Sequence, residues 1–347
     1  MSLSFYQKAE ATLGRAVLRL PTRWVARIAG APVLRGAGAL DPQIQLAIRA
    51  HGVLGHKHTH ELPVAEARAV MEANTAMLAP TPPPLAEVVE ARFPGPHGDI
   101  PARIYRPLDA RTPAPAVVFF HGGGMVLGSL ASHDAPCRVI AAESGCVVVA
   151  VDYRLAPEHR FPAPVEDALA AFRHVAREAP RMGLDPARLA LAGDSAGGTL
   201  SAVVALETRG DAVRPRFQVL IYPAVDLTSS FPSIQSLGEG FFLEAASIAW
   251  FVDHYLDPGQ DRRDPRVSPL FAPDHAGLPP AFVLTAGFDP LRDEGEAYVA
   301  ALRAAGVEVD HRCYESLIHG FFNLSGGVVA ARAPLADIAA ALRRALA

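Results

Sequence analysis

The sequence is short of cysteine. Only Cys137, Cys146 and Cys313 occur in 347 residues, an odd number without CxxC spacing, which excludes a disulfide framework and a cysteine-based zinc site. Cys137 and Cys146 fall within apolar-periodic segments that suit buried, reduced thiols, so the expected compartment is a reducing cytoplasm. Charge of one sign is also missing. With 32 Lys and Arg against 36 Asp and Glu the formal charge is −4, and no global positive field exists to recruit nucleic acid or an anionic membrane. Long hydrophobic runs are absent too. No stretch reads as the roughly 20 consecutive, predominantly apolar residues of a membrane span, and Arg15, Arg19, Arg23 and Arg27 break up the N-terminal apolar runs before a secretory leader can form.

What remains is a globular composition, half hydrophobic and a fifth charged. The length fits one large domain with an insertion. Two stretches rich in structure breakers mark boundaries, Pro80 to Pro84 and Pro223 to Gly240. The expected organisation is an N-terminal helical extension and cap over residues 1–80, then a main domain over 81–347 with a cap insertion around 226–262. Within the main domain, β-branched and aromatic runs at Ala116–Phe120, Cys146–Val151, Leu189–Ala192, Phe217–Ile221, Phe282–Thr285 and Val307–Tyr314 read as strands. Helical patterns alternate with them. In Pro164–Ala179 the apolar positions recur at spacings of three and four, and a helix capped by Ser132 runs to Ser144 with Gly145 as its stop. Strands alternating with amphipathic helices imply a doubly wound, largely parallel α/β sheet, with its site at the carboxyl ends of the strands.

Ser195 stands in Gly193-Asp194-Ser195-Ala196-Gly197, between the strand Leu189–Ala192 and a helix over Gly198–Glu207. This GxSxG context is what a nucleophile elbow needs, because small neighbours let the chain turn sharply and lift Oγ above the sheet. The segment lacks the Lys-Ser/Thr ending of a P-loop and the spacing of a dinucleotide site, which argues against a phosphate cradle. His121-Gly122-Gly123-Gly124 follows another strand. Its glycine amides, with that of Ala196, can face the oxyanion of a tetrahedral intermediate, so Gly123, Gly124 and Ala196 are the candidate donors.

Hydrolases of this topology place the acid and then the base after the serine. His254, His275, His311 and His319 follow Ser195. His311 falls inside a strand, His254 in a cap helix and His275 before a strand, which leaves His319 in the loop after the last strand as general base. Asp289 lies nearest the end of the preceding strand and can orient that imidazole. Asp293 is the competitor, with helix capping as its alternative role.

These motifs together resemble a family. His121-Gly122-Gly123-Gly124, Asp152-Tyr153-Arg154-Leu155-Ala156-Pro157-Glu158, Gly193-Asp194-Ser195-Ala196-Gly197-Gly198, Asp289-Pro290-Leu291-Arg292-Asp293 and His319-Gly320-Phe321, in this order, resemble the bacterial hormone-sensitive-lipase-like esterases over roughly residues 40–347. The resemblance implies an eight-stranded α/β-hydrolase core with a helical cap and hydrolysis of short- to medium-chain acyl esters. It also implies dimers through an edge strand. No cofactor or metal is expected, and the partner is a small-molecule acyl ester. Met125 departs from the bulky aromatic that often follows the glycines. The DYRLAPE stretch reads as a hydrogen-bond network supporting the glycine loop.

The pocket is expected to draw on Met125, Phe241, Phe242, Leu243 and Trp250. His51, His56, His58 and His60 form a cluster that reads as a polar cap loop in preference to a metal site, for want of nearby cysteines or an HExxH pair. At the N-terminus, Leu13, Val17, Leu20 and Trp24 lie on a face away from the four arginines, with Pro21 bending or restarting the helix. A cap helix is the expected role and a membrane-surface helix the alternative.

Overall fold

The computed structural model describes residues 20–35 and 38–347. Pro21 supplies the last non-helical position before helix α1 (Thr22–Ala29), as its missing N–H and fixed φ allow. The arginine-spaced positions before Leu20 lie outside the described residues. Within α1 the buried face is Val25 and Ala29, whereas Leu20 and Trp24 are exposed, which corrects the expected apolar face. A two-stranded antiparallel ribbon, β1 (Leu34–Arg35) with β2 (Gly38–Ala39), leads to α2 (Pro42–Val53). Asp41 caps α2 by accepting from the amides of Gln43 at 2.8 Å and Ile44 at 3.3 Å. Helix α3 (Val64–Leu78) completes the segment before the proline run.

An antiparallel hairpin follows, β3 (Glu87–Gly95) with β4 (Gly98–Arg106), which the apolar-run pattern does not reveal. The chain then alternates: β5 (Ala114–Phe120), α4 (Asp134–Ser144), β6 (Val147–Val151), α5 (Ala163–Glu178), β7 (Leu184–Asp194), α6 (Ala196–Glu207) and β8 (Phe217–Ile221). Next come two helices of the insertion, α7 (Pro232–Leu237) and α8 (Ala245–Tyr255). The last elements are β9 (Ala281–Phe288), α9 (Arg292–Ala304), β10 (Val309–Ile318) and α10 (Arg332–Ala345). The helix before Gly145 begins one residue later than a Ser132 cap would give. His133 takes the cap position, while the Ser132 hydroxyl is engaged with Ser129 and with Nδ1 of His133 at 2.8 Å. Gly145 ends that helix at φ 75, the left-handed stop that glycine adopts without a Cβ clash.

The eight-stranded sheet has the order β10-β9-β8-β7-β5-β6-β4-β3. β4 pairs antiparallel with both β3 and β6, and all other pairs are parallel. Alternate residues of β5 feed opposite layers. Val118 and Phe120 join Val165, Phe172, Leu200 and Tyr298 in one, while Val117 and Phe119 join Ile140, Leu335 and Ile338 in the other. This double cover makes the central strands apolar on both faces, and it aligns the carboxyl ends of β5, β7, β9 and β10 along one edge. There the chemistry-bearing loops emerge.

Candidate active site

Ser195 joins the end of β7 to the start of α6 at φ 54 and ψ −120. A side-chain-bearing residue at positive φ is strained, on the order of 1–3 kcal/mol, and persists only where its surroundings hold it. They do so here. The Ser195 amide donates to the Ile221 carbonyl at 2.8 Å, and a Cβ on Gly197 would collide with the carbonyl of Phe120. The small residues around the serine are thus demanded by the approach of β5 as well as by the turn.

His319 directly follows β10, and Asp289 directly follows β9. Nε2 of His319 is 2.9 Å from Ser195 Oγ, and Nδ1 is 2.9 Å from Asp289 Oδ2. With the proton on Nδ1, the imidazole donates to the carboxylate and leaves Nε2 to accept from the serine hydroxyl. Asp289 is fully buried, and its Oδ1 accepts from the Leu291 amide at 2.8 Å. Tyr222 packs on the imidazole with ring centroids 4.5 Å apart. Asp293 is elsewhere: it pairs with Arg292 at 2.8 Å and accepts from the Ser233 amide at 3.0 Å, tying α9 to α7. His254 bonds within α8, His275 donates from Nε2 to the Pro269 carbonyl at 3.0 Å, and His311 meets Thr285 in the sheet.

The glycine loop faces the serine from the end of β5. Gly122 is committed, its amide donating to Asp194 Oδ1 at 2.9 Å. Among the described residues the amides of Gly123 and Gly124 have no acceptor, and Ala196 occupies the first turn of α6, where helix amides lack intrahelical partners. Gly124, at φ 62, also needs to be glycine because a Cβ would enter the ring of Phe251 from α8. Asp194 anchors this arrangement from beneath. Burial pushes its carboxyl up, but His133, with Nε2 3.2 Å away, together with His121 and the Gly122 amide outweighs that and holds it below the usual carboxylate range. Burial also takes His121 down to about 4, so its ring is neutral near pH 7, stacked on Tyr153. Sequence patterns missed the roles of Asp194, His133 and Tyr222, since each acts through a partner far along the chain. The aspartate inside GDSAG was the one available signal.

The DYRLAPE stretch does brace the loop. Tyr153 donates to the His121 carbonyl at 2.7 Å and the Ala156 amide to the Met125 carbonyl at 2.9 Å. Arg154 instead pairs with Asp167 of α5 at 2.8 Å.

Of the candidate pocket residues, Met125 is buried beside the glycines. Phe241 packs on Phe288, next to Asp289, with centroids 5.3 Å apart, and Trp250 packs edge-on to Phe251 at 5.2 Å. Leu243 is half-buried, and Phe242 is exposed, edge-on to His51 at 5.5 Å. A cavity of about 270 Å³ lies at the end of α8 and one of about 580 Å³ beside His60 and Glu244, and no residue of the serine cluster lines either. His51, His58 and His60 bridge the N-terminal segment to the insertion: His51 packs edge-on to Phe242, His58 Nδ1 is 3.3 Å from Glu244, and His60 Nδ1 is 3.2 Å from Ser247 Oγ. Among the described residues no three metal-ligating side chains are grouped to hold an ion. Nor is any helix among them long and apolar enough to cross a membrane.

Comparison with known proteins agrees with this fold. A family model described as the alpha/beta hydrolase fold matches residues 117–323. The carboxylic ester hydrolase LipN of Mycobacterium tuberculosis is 45% identical over 311 residues, covering 85% of this chain and 80% of that protein. The ethyl acetate hydrolase of Pseudomonas putida is 38% identical over 292 residues, covering 82% of this chain and 91% of that protein. Among solved structures, a hyperthermophilic esterase from the archaeon Pyrobaculum calidifontis superposes with a TM-score of 0.83 at 41% identity, covering 89% of this chain and 99% of that one. Fold, motif order and relatives agree: the chain belongs to the hormone-sensitive-lipase-like family of α/β-hydrolases and is a serine carboxylic ester hydrolase.

Proposed function

We propose that ester hydrolysis runs through a covalent acyl-enzyme on Ser195. His319 Nε2 takes the hydroxyl proton as Oγ attacks the ester carbonyl carbon, and the carbonyl oxygen becomes an oxyanion facing the amides of Gly123, Gly124 and Ala196. Collapse breaks the ester C–O bond, and His319 returns the proton to the departing alcohol. Water then enters, gives a proton to His319 and attacks the acyl carbon. The second tetrahedral intermediate collapses to free acid and Ser195 recovers its proton. Asp289 holds the imidazole tautomer and stabilises the transient imidazolium.

The observation that carries this reading is the pair of 2.9 Å contacts through His319, one to Asp289 and one to a serine held at positive φ opposite glycine amides that have no acceptor among the described residues. The proposed substrates are small esters with short to medium acyl chains, in keeping with the name of the ethyl acetate hydrolase relative. Residues up to about 80 and around 226–262 would form the cap over them. Three free cysteines fit a reducing cytoplasm. The test is labelling with a fluorophosphonate followed by peptide mapping. One adduct per chain on Ser195 is expected; an adduct on another residue, or none, would overturn the assignment.

A further inference from the structure

An oxyanion hole works only if its donors are aimed where charge develops, and misplacement by a fraction of an ångström forfeits much of the effect. A run of glycines cannot aim itself. The segment from His121 to Gly128 must therefore take its shape from outside ties. Two of these come from beneath, through Asp194 and Tyr153. A third reaches the loop from the N-terminal segment.

Arg68 projects from α3. Its Nε donates to the Val126 carbonyl at 2.9 Å and its Nη2 to the Ala156 carbonyl at 2.9 Å. Because the Ala156 amide in turn donates to the Met125 carbonyl at 2.9 Å, one guanidinium closes a bridge between the glycine loop and the turn at Ala156. The bridge grips the turn in which the amides of Val126 and Leu127 return to the Gly123 carbonyl, at 3.0 and 2.8 Å. Glu158 locks the guanidinium in place through two parallel bonds, Nη1 to Oε1 at 2.8 Å and Nη2 to Oε2 at 2.7 Å. The fork geometry suits arginine and not lysine, since a single ammonium cannot reach both carbonyls and the carboxylate in one plane. Arg68's bonds also bring the Glu158 carboxyl down to about 2, so the clamp keeps its charge at any pH near neutrality.

We propose that Arg68 is a positioning residue for ester hydrolysis, fixing from α3 the backbone turn that aims the Gly123 and Gly124 amides. The proposal rests on the oxyanion assignment above. Acylation and deacylation both pass through a tetrahedral oxyanion, so loosening the loop slows both. When both slow by a similar factor, KM, which depends on their ratio, stays put.

The test compares the full chain with Arg68→Met, Arg68→Lys and Glu158→Gln on p-nitrophenyl butyrate, reading burst rate, steady-state rate, KM and thermal unfolding. Removing a whole donor from such a site costs about 100- to 1000-fold, so a displaced loop should cost less. The expected result for Arg68→Met is a loss of about tenfold to 100-fold in both rates with KM within about threefold. Arg68→Lys should recover part of the loss, and Glu158→Gln should fall between wild type and Arg68→Met. Wild-type rates in folded Arg68→Met, or a loss confined to KM, would overturn the proposal. If Arg68→Met does not fold, Arg68→Lys decides by the same criteria: lowered rates at unchanged KM support the assignment and wild-type rates overturn it. An active Ser195→Ala variant would dismiss the underlying mechanism, whereas an inactive one beside wild-type Arg68 variants would dismiss only the role of Arg68.

Discussion

Asp289 and Asp293 stand four residues apart in one motif and serve different structures. Asp289 meets His319, and Asp293 meets Arg292 and the Ser233 amide. Asp289→Asn presents an amide that favours the wrong imidazole tautomer, so kcat should fall by about 10⁴ while the fold survives. Asp293→Asn should keep kcat and lose about 0.5–2 kcal/mol of stability, read by urea unfolding. Equal losses of kcat would mean that the acid is misassigned. Glu294, next in the chain, carries a different expectation. It is fully buried, its Oε1 accepts from the amides of Val225 at 2.8 Å and Asp226 at 3.1 Å, and its Oε2 has no partner among the described residues. Burial pushes this carboxyl well above the ordinary glutamate range; the two amides oppose the rise, and Asp226 and Asp289 add to it. A proton held by the fold and released on unfolding makes stability greatest below the unfolded pKa of about 4.3 and lower as pH climbs toward the folded value. Glu294→Gln should therefore gain on wild type as pH rises from 5 in urea titrations. Parallel stability curves would contradict this. At the residue scale the three side chains that meet at His319 were legible, because each directly follows a strand in a short motif. Arg68, Asp194 and Glu294 were not, because the partners that give them these roles, Val126, Gly122 and Val225, lie 58, 72 and 69 residues away in sequence.

Among the elements, the strands buried on both faces announced themselves as β-branched runs, and β8 coincides with its expected span at Phe217–Ile221. The hairpin β3–β4 did not. Its strand β3 forms the sheet edge and is mostly exposed, with Pro94 inside it and Pro101 near the start of β4, and prolines within strands mask a strand pattern built on apolar runs. Helix α1 misled for a related reason: amphipathic spacing offers two apolar faces, and only packing decides that Val25 and Ala29 turn inward while Trp24 stays exposed. Helix α8 bears on the proposed acyl site. It brings Phe251 against Gly124 and Trp250 against Phe251, so on the proposed mechanism an acyl chain on Ser195 would meet apolar surface beside the glycine loop. Each methylene buried there contributes about 0.8 kcal/mol until the space is filled. The kcat/KM for p-nitrophenyl esters should thus rise from acetate, peak between four and eight acyl carbons, and fall beyond. A continued rise through 12 to 16 carbons, with a jump at an emulsion interface, would rule out this picture of the cap.

For the molecule as a whole, the parallel sheet gathers residues that are far apart in sequence at one edge. The glycine loop after β5, the serine after β7, the aspartate after β9 and the histidine after β10 all leave carboxyl ends of strands, which is where an α/β sheet presents loops free of its own hydrogen bonding. The alternation of strands and helices made that architecture readable in advance, but the contributions of α3 and α8 to the same edge depend on tertiary packing. The net charge of −4 supplies no broad positive field, in keeping with a neutral ester as the substrate. All of this converges on one atom, Ser195 Oγ. The most direct measurement is hydrolysis of p-nitrophenyl butyrate by purified Ser195→Ala, with circular dichroism to verify folding. The expected result is a folded protein whose kcat is lower by about 10⁶, as for loss of the nucleophile in serine hydrolases generally. A folded Ser195→Ala variant that turns over at the wild-type rate would contradict the acyl-enzyme account.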